Sequence, residues 1–240
     1  MKDYLLDLVE HTHDLGFIDL IKITGNTSKT SIVAIADDLS VVVEGEFRNP
    51  VPEFIGTFGM PNLNKLKILL NLQEYREDAK LDIGKNADGE LDGIKFENKA
   101  GDFRNNYRFM PANVVTDKLK TPKFKGANWH VEFEPQAASI MRFKMQAQAN
   151  AEEPNFQART ENGDLKFFFG DHSTHAGNFV FHAGVSGAIK RAWAWPASQF
   201  MAILSLTGDK IVRISDDGAA QITVDSGLAV YNYIIPAQSK

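Results

Sequence analysis

The chain has 240 residues, which is enough for one large domain or for two of about 120 residues each. Its hydrophobic content of 43% is ordinary for a globular protein, and no apolar run reaches the roughly 18 residues of a membrane-spanning helix, so we expect no membrane partner. The sequence has no cysteine and starts without an apolar signal segment, which excludes disulfides and thiolate chemistry and favours a cytoplasmic location. The net charge of −5 argues against a general nucleic-acid coat but permits a local basic surface.

The first half of the chain predicts a helix, strands, a second helix and further strands. Apolar residues at helical spacing predict the first helix over 3–14, ending at Gly16. The second helix follows Pro61 and places four leucines on one face, Leu63, Leu66, Leu69 and Leu70. The predicted strands of this half cover residues 17–24, 31–36, 40–47, 80–84, 91–97 and 103–109.

Residues 113–128 differ from the segments around them. They include four lysines and one proline, and they have neither a helical nor a strand period. We interpret them as a connector between an N-terminal domain, 1–112, and a C-terminal domain, 129–240.

The second half predicts a strand at 129–133, a helix over 136–149, and a hairpin of 165–169 with 178–185 around Asp171–Ser173. The inward residues of the helix over 136–149 are predicted to be Ala137, Ile140, Met141 and Met145. No acidic residue occurs from Gln136 to Ala151, so Arg142 and Lys144 give this helix a basic character.

A segment of the sequence occurs twice, from Met60 to Ala112 and from Trp195 to Ala237. Both copies open with a proline after a large apolar residue, continue as an amphipathic helix, and close with Pro-Ala. Strands around an Asp-Gly turn lie between, at Asp88-Gly89 and Asp217-Gly218. One unit used twice indicates two similar domains.

The sequence resembles the two-domain sliding clamps of DNA polymerases, as in T-even-like phages and in eukaryotic and archaeal replication. Three stretches carry the resemblance: residues 35–43, a strand–turn–strand; the lysine-rich stretch after Pro111; and the ending Tyr231–Ala237. The resemblance extends over nearly the whole chain through order and spacing, and the length fits the kind that closes as a trimer.

This resemblance implies an α+β fold of two similar domains. Each would have antiparallel sheets on the outside and two helices on one face, and three copies would close as a pseudo-six-fold ring. It further implies a viral protein of the host cytoplasm that is not an enzyme and needs no cofactor. Its partners would be duplex DNA, bound without reading sequence, the DNA polymerase that it tethers, and a clamp loader.

The resemblance and the residue chemistry together predict three surfaces. The DNA-facing cations, which would meet phosphates, are Lys65, Lys67, Arg142 and Lys144. The pocket for a partner peptide would consist of exposed apolar residues, Ala36, Leu39, Val41, Val114, Val115, Leu119, Ile235 and Pro236. The subunit interface would pair 103–109 of one copy with 178–185 of the next through Phe103, Tyr107, Phe109, Phe179 and Phe181. The first helix departs from this scheme, because it carries the acids Asp3, Asp7, Glu10 and Asp14.

Two other functions remain open at this stage. A viral structural or assembly protein could use the same duplicated module, but it would need no cations on the helix faces. A metal-dependent β-barrel enzyme could use His172, His175 and His182, yet no carboxylate stands at a suitable spacing, and we expect no metal.

Overall fold

The computed structural model describes residues 1–120, 124, 126–170 and 175–238. The chain divides into two compact units, one of Met1–Pro122 with Ser226–Tyr231 and one of Lys123–Asp225 with Asn232–Lys240. The strand pairs with a defined register are antiparallel in both units. This confirms the predicted α+β fold with antiparallel sheets, while the domain bounds 1–112 and 129–240 stay predictions.

The α-helices described in the first unit are α1 (Lys2–His11), α2 (Leu63–Asn71) and α3 (Ala112–Lys118). The helix α1 ends at His11, with Thr12 as its C-cap, earlier than predicted, and a short 3-10 turn, His13–Leu15, follows it. Gly16 ends this turn in a left-handed conformation, with a φ of 85°. The strands are β1 (Leu20–Gly25), β2 (Thr30–Ile35), β3 (Val42–Phe47), β4 (Gly56–Pro61), β5 (Lys80–Lys85), β6 (Leu91–Glu97), β7 (Arg104–Arg108) and β8 (Met110–Pro111).

Strand order in the first unit is β8-β4-β1-β2-β3, and a separate sheet has the order β5-β6-β7. The inward residues of β1, Ile21 and Ile23, are fully buried, and so are the four leucines predicted on α2. Asn62 caps α2 from a left-handed conformation, and its side-chain oxygen accepts from the Lys65 N–H at 3.2 Å.

The α-helices among the described residues of the second unit are α4 (Ala137–Ala149) and α5 (Ala197–Leu204). Its strands are β9 (Val131–Phe133), β10 (Asn155–Glu161), β11 (Asp164–Phe169), β12 (Gly177–His182), β13 (Ala194–Pro196), β14 (Asp209–Ser215), β15 (Ala219–Asp225) and β16 (Ala229–Pro236). One sheet has the order β12-β11-β10-β13, and β15, β14 and β9 follow β16 in another. Strand β16 begins among the residues of the first unit, next to β3, and ends among those of the second.

The two units repeat one arrangement. The order β3-β2-β1-β4 in the first matches β12-β11-β10-β13 in the second, with a helix before the first strand and another after the last. The core of α2 consists of Leu63, Leu66, Leu69 and Leu70, and that of α5 of Ala197, Phe200, Ile203 and Leu204. The intervals between these buried positions are the same in both helices, as the internal repeat predicts.

The first part of the predicted connector is not irregular, because residues Ala112–Lys118 form α3, while its role as a connector stays a prediction. Val115 of this helix is buried, and it lies so close to Gly59 of β4 that a side chain there would meet the valine at 2.7 Å. Packing against β4 therefore stabilises a short helix that the periodicity does not indicate. Lys123 and Lys125 of the connector lie outside the described residues, as does the predicted hairpin turn Asp171–Ser173.

The predicted inward face of α4 is also wrong. Met141 and Met145 are 56% and 60% exposed, whereas Phe143 is fully buried. The Phe143 ring lies 5.1 Å from that of Phe156 and 5.8 Å from that of Phe200. These aromatic contacts set the rotation of the helix, since ring pairs contribute beyond their buried area.

A loop between β12 and β13 is fastened at several points of the second unit. The Asp216 carboxylate accepts the backbone N–H groups of Lys190 and Arg191, both at 2.8 Å. Gly187 passes so close to the His130 carbonyl that a Cβ at this position would lie 1.5 Å from its oxygen. The loop is thereby held by backbone contacts rather than by apolar packing alone.

Candidate nucleic-acid and partner surfaces

The outer face of α2 presents the two predicted cations of the first unit. Lys65 and Lys67 are exposed because the four leucines take the opposite face of the helix. The Lys67 ammonium lies 3.0 Å from the Asp14 carboxylate, in the 3-10 turn after α1. The packing of α1 against α2 therefore places Lys67 of α2 beside Asp14 of the turn that follows α1.

The acidic character of α1 is smaller at the surface than the sequence suggests. Asp7 is buried, and it accepts a hydrogen bond from the Tyr231 hydroxyl at 2.6 Å. His11 stacks on the Tyr231 ring at 4.7 Å and closes this cluster. Asp7 thus has a structural role, and only Asp3, Glu10 and Asp14 remain in contact with solvent.

In the second unit, α4 presents Arg142 and Lys144, both exposed. The Arg142 Nη1 donates to the Val180 carbonyl at 3.4 Å, and the guanidinium lies 5.5 Å from the Phe179 ring, so the side chain leans toward β12. Neither α4 nor α5 contains an acidic residue. A shallow groove of about 510 Å³ runs beside Lys144, Gln148 and Ser198. The lining of this groove is mostly apolar, with Ala197 and Met201 among its residues, and it includes the Glu153 carboxylate, which follows α4. The helices α4 and α5 themselves carry two cations and no carboxylate.

The eight residues predicted for the partner-peptide pocket differ in exposure. Three are exposed, Leu39 at 68%, Val114 at 39%, and Pro236. The expectation of exposure is wrong for the other five, which lie in the cores: Ala36, Val41, Val115, Leu119 and Ile235. Their burial follows from strand and helix packing, so they can support a docking surface but do not form its outer layer.

Leu39 stands out among the exposed residues, because its φ of 61° is left-handed. This conformation costs a non-glycine residue about 1–2 kcal/mol. The turn is held by the Asp38 carboxylate, which accepts from the Ser40 N–H at 3.0 Å and from its hydroxyl at 2.5 Å. An apolar side chain is thus presented to solvent by a strained, hydrogen-bonded turn.

The two strands predicted to meet between subunits are both edge strands. β7 ends the sheet β5-β6-β7, and β12 ends the sheet β12-β11-β10-β13. Of the five predicted interface side chains, Phe103 is 40% exposed and lies just before β7. The other four are buried in their own units: Tyr107, Phe109, Phe179 and Phe181.

Tyr107 illustrates the internal role of these aromatic residues. Its hydroxyl donates to the Pro61 carbonyl at 2.6 Å. Burial, with a smaller effect of the Asp19 charge, raises the pKa of this hydroxyl above its ordinary value. The side chain therefore joins β7 to the end of β4 within the first unit.

Among the described residues, no group of three or more His, Asp or Glu side chains is arranged to hold a metal ion, and His172 lies outside them. No helix in the described part of the chain is long and apolar enough to cross a membrane.

The sequence matches no protein-family model and no curated protein. Solved structures, by contrast, match it over its whole length. PCNA from Thermococcus kodakaraensis superposes with a TM-score of 0.67 at 16% identity, covering 99% of this chain and 97% of that one. PCNA from A. fulgidus, in a structure with the C-terminal region of FEN-1 bound, gives a TM-score of 0.69 at 9% identity, covering 100% and 95%. At these identities the likeness establishes the fold, and the fold is that of PCNA, with its duplicated domains.

Proposed function

We propose that the protein is a sliding clamp, a ring without enzymatic activity that encircles duplex DNA and tethers a replicative polymerase. The observation that carries this proposal is the likeness to PCNA over the full length of both chains. A tethering protein needs no catalytic group, because confinement alone raises the effective concentration of its partner on the template.

The charge on the helices supports contact with DNA. Lys65, Arg142 and Lys144 are exposed on helix faces, and α4 and α5 contain no carboxylate that would repel a phosphate. Scattered lysine and arginine side chains meet phosphates without reading base edges. Such contacts suit a protein that must move along duplex DNA of any sequence.

The repeated topology supports ring closure by edge strands. Strand β3 lies beside the first residues of β16, and the Arg48 N–H donates to the Leu228 carbonyl at 2.9 Å. In the repeat, β12 is the counterpart of β3 and β7 is the counterpart of β16. Among the described strands, both counterparts are unpaired on one side, so we propose that β7 of one copy pairs with β12 of the next.

Closure of this kind rests on backbone hydrogen bonds with Phe103 as an exposed apolar contact. The buried residues Tyr107, Phe109, Phe179 and Phe181 would stiffen the two edges from inside. Phe103→Asp is thus a suitable disrupting variant, since the wild-type side chain is already 40% exposed and the fold should tolerate the change. Tyr107→Asp would instead place a charge in the core.

A docking surface for partner peptides is proposed around the Leu39 turn. The PCNA from A. fulgidus binds a C-terminal region of FEN-1, which is a peptide segment of another protein. In this chain, exposed apolar side chains such as Leu39 and Val114 would serve as contacts for apolar side chains of a partner peptide. The polymerase and clamp loader, a T-even-like phage origin and the host cytoplasm remain predictions.

Solution mass and topological retention test the proposal together. Three chains of 26.7 kDa in a closed cyclic assembly give about 80 kDa. A linear duplex with biotin at both ends is incubated with the protein, its ends are blocked with streptavidin, and the salt is then raised. A clamp stays on the blocked duplex and leaves the open one.

The other outcomes refute the proposal. A protein that binds DNA without encircling it leaves at high salt whether or not the ends are blocked. A viral assembly protein with the same module would form particles of a different mass and show no dependence on the DNA ends. Phe103→Asp should lower the mass and abolish retention, while a matched change away from the edge strands, Asp88→Asn in the β5–β6 turn, should affect neither.

A further inference from the structure

Of the four predicted DNA-facing cations, Lys67 differs from the other three because it forms an ion pair with a carboxylate. The Lys67 ammonium contacts the Asp14 carboxylate at 3.0 Å, with 46% of the lysine and 35% of the aspartate side chain exposed. Among the described residues, Lys65, Arg142 and Lys144 form no ion pair, and Arg142 contacts the Val180 carbonyl and the Phe179 ring. Lys67 is thus the cation whose charge is already compensated.

We propose that Asp14 competes with DNA phosphate for Lys67 and so weakens the association of the protein with DNA. This inference rests on the proposed function, because it concerns the same helix faces. A phosphate that approaches Lys67 must displace the carboxylate, and the displaced carboxylate then repels it. The salt bridges of the described residues include no such competitor for Lys65, Arg142 or Lys144.

The expected size of this effect follows from the exposure of the pair. Ion pairs on a surface are weak and are screened by salt, so removing the competitor should strengthen binding about two- to five-fold for each chain at low ionic strength. Each additional phosphate contact also adds about 0.9 to the slope of log affinity against log salt concentration. A weak brake of this kind keeps the contact mobile, which a sliding protein requires.

A double-mutant cycle on the full-length protein tests the proposal. The affinity for a short fluorescein-labelled duplex is measured by anisotropy over a series of KCl concentrations for wild type, Asp14→Asn, Lys67→Gln and the double variant. Asp14→Asn should tighten binding about two- to five-fold and steepen the salt slope. Lys67→Gln should weaken binding less in the wild-type background than in the Asp14→Asn background, where it should remove the gain.

Asp3→Asn is the matched control for net charge, because Asp3 is an exposed acid of α1 with no ion pair among the described residues. Its effect should be smaller than that of Asp14→Asn and independent of residue 67. If Asp14→Asn tightens binding equally in the Lys67→Gln background, the gain is a net-charge effect and the inference is wrong. A common urea midpoint would confirm that the variants remain folded.

The proposed function fails in a different way from this inference. Arg142→Gln with Lys144→Gln should weaken binding and flatten the salt slope whatever stands at position 14. If this pair has no effect, or if the wild type shows no salt-dependent association, the DNA-binding role is refuted together with the inference. If the pair weakens binding but the cycle shows no coupling between Asp14 and Lys67, only the inference is refuted.

Discussion

The position of α4 depends on the packing of Phe143, so the variant Phe143→Ala is the sharpest test of how this helix packs. The side chain is fully buried, with its ring 5.1 Å from Phe156, 5.6 Å from Phe167 and 5.8 Å from Phe200. Removing a buried phenylalanine costs about 3–5 kcal/mol through lost transfer energy and the cavity left behind. This is a large part of the roughly 5–15 kcal/mol that stabilises a typical domain.

Urea unfolding monitored by circular dichroism measures the loss. Met145→Ala is the matched control, because this side chain lies on the same helix but is 60% exposed, and its removal should cost less than about 0.5 kcal/mol. Phe143→Leu should give an intermediate value, since most of the apolar volume is kept. A Met145→Ala variant that loses as much stability as Phe143→Ala would mean that the helix packs through its other face.

Three further predictions concern pH and a close backbone approach. Burial raises the pKa of the Tyr107 hydroxyl, so this residue contributes stability that is present below about pH 10 and is lost as the pH rises further. Tyr107→Phe should therefore make the free energy of unfolding less dependent on pH in the alkaline range. An unchanged pH profile would contradict this. For Asp216, burial raises the pKa, but the N–H groups of Lys190-Arg191 and nearby positive charge lower it more, so its contribution is present above about pH 4 and lost in acid. Asp216→Asn should therefore lower the urea midpoint at pH 7 more than at pH 3, and an equal loss at both would refute the linkage. Gly187→Ala should lower the free energy of unfolding by about 1–3 kcal/mol, measured as a lower melting temperature, because the added Cβ would lie 1.5 Å from the His130 carbonyl oxygen. Gly163→Ala is the control, because it tests only the cost of replacing a glycine with a left-handed backbone.

The sequence predicts the repeated elements well where one pattern excludes the others. In α2, four leucines at helical spacing face away from asparagine and lysine, and all four are buried. In α4, two stripes compete, one with Ile140, Met141 and Met145 and one through Phe143. The choice between them depends on the aromatic rings of β10, β11 and α5, which come from distant parts of the chain, so periodicity alone gives the wrong face.

The candidate site could be predicted as a set of residues but not as a set of contacts. That Lys67 lies beside Asp14 follows from the packing of α1 against α2, which no local pattern encodes. The removal of Asp7 from the acidic surface depends on Tyr231, 224 residues further along the chain. Exposure in the docking surface was likewise set by tertiary packing, which buries Val115 against β4 and leaves Leu39 in solvent.

The two units show which features the fold constrains and which it leaves variable. The buried positions of α2 and α5 keep the same spacing, because each helix must pack one face against a sheet. The outer faces are under no such constraint: α1 is acidic, α4 has two cations and no acid, and α5 has no charge. A duplicated module can therefore distribute charge unequally between its copies without loss of the fold. Since the field near a helix depends on nearby charges, a chain with a net charge of −5 can still present a face that attracts phosphate.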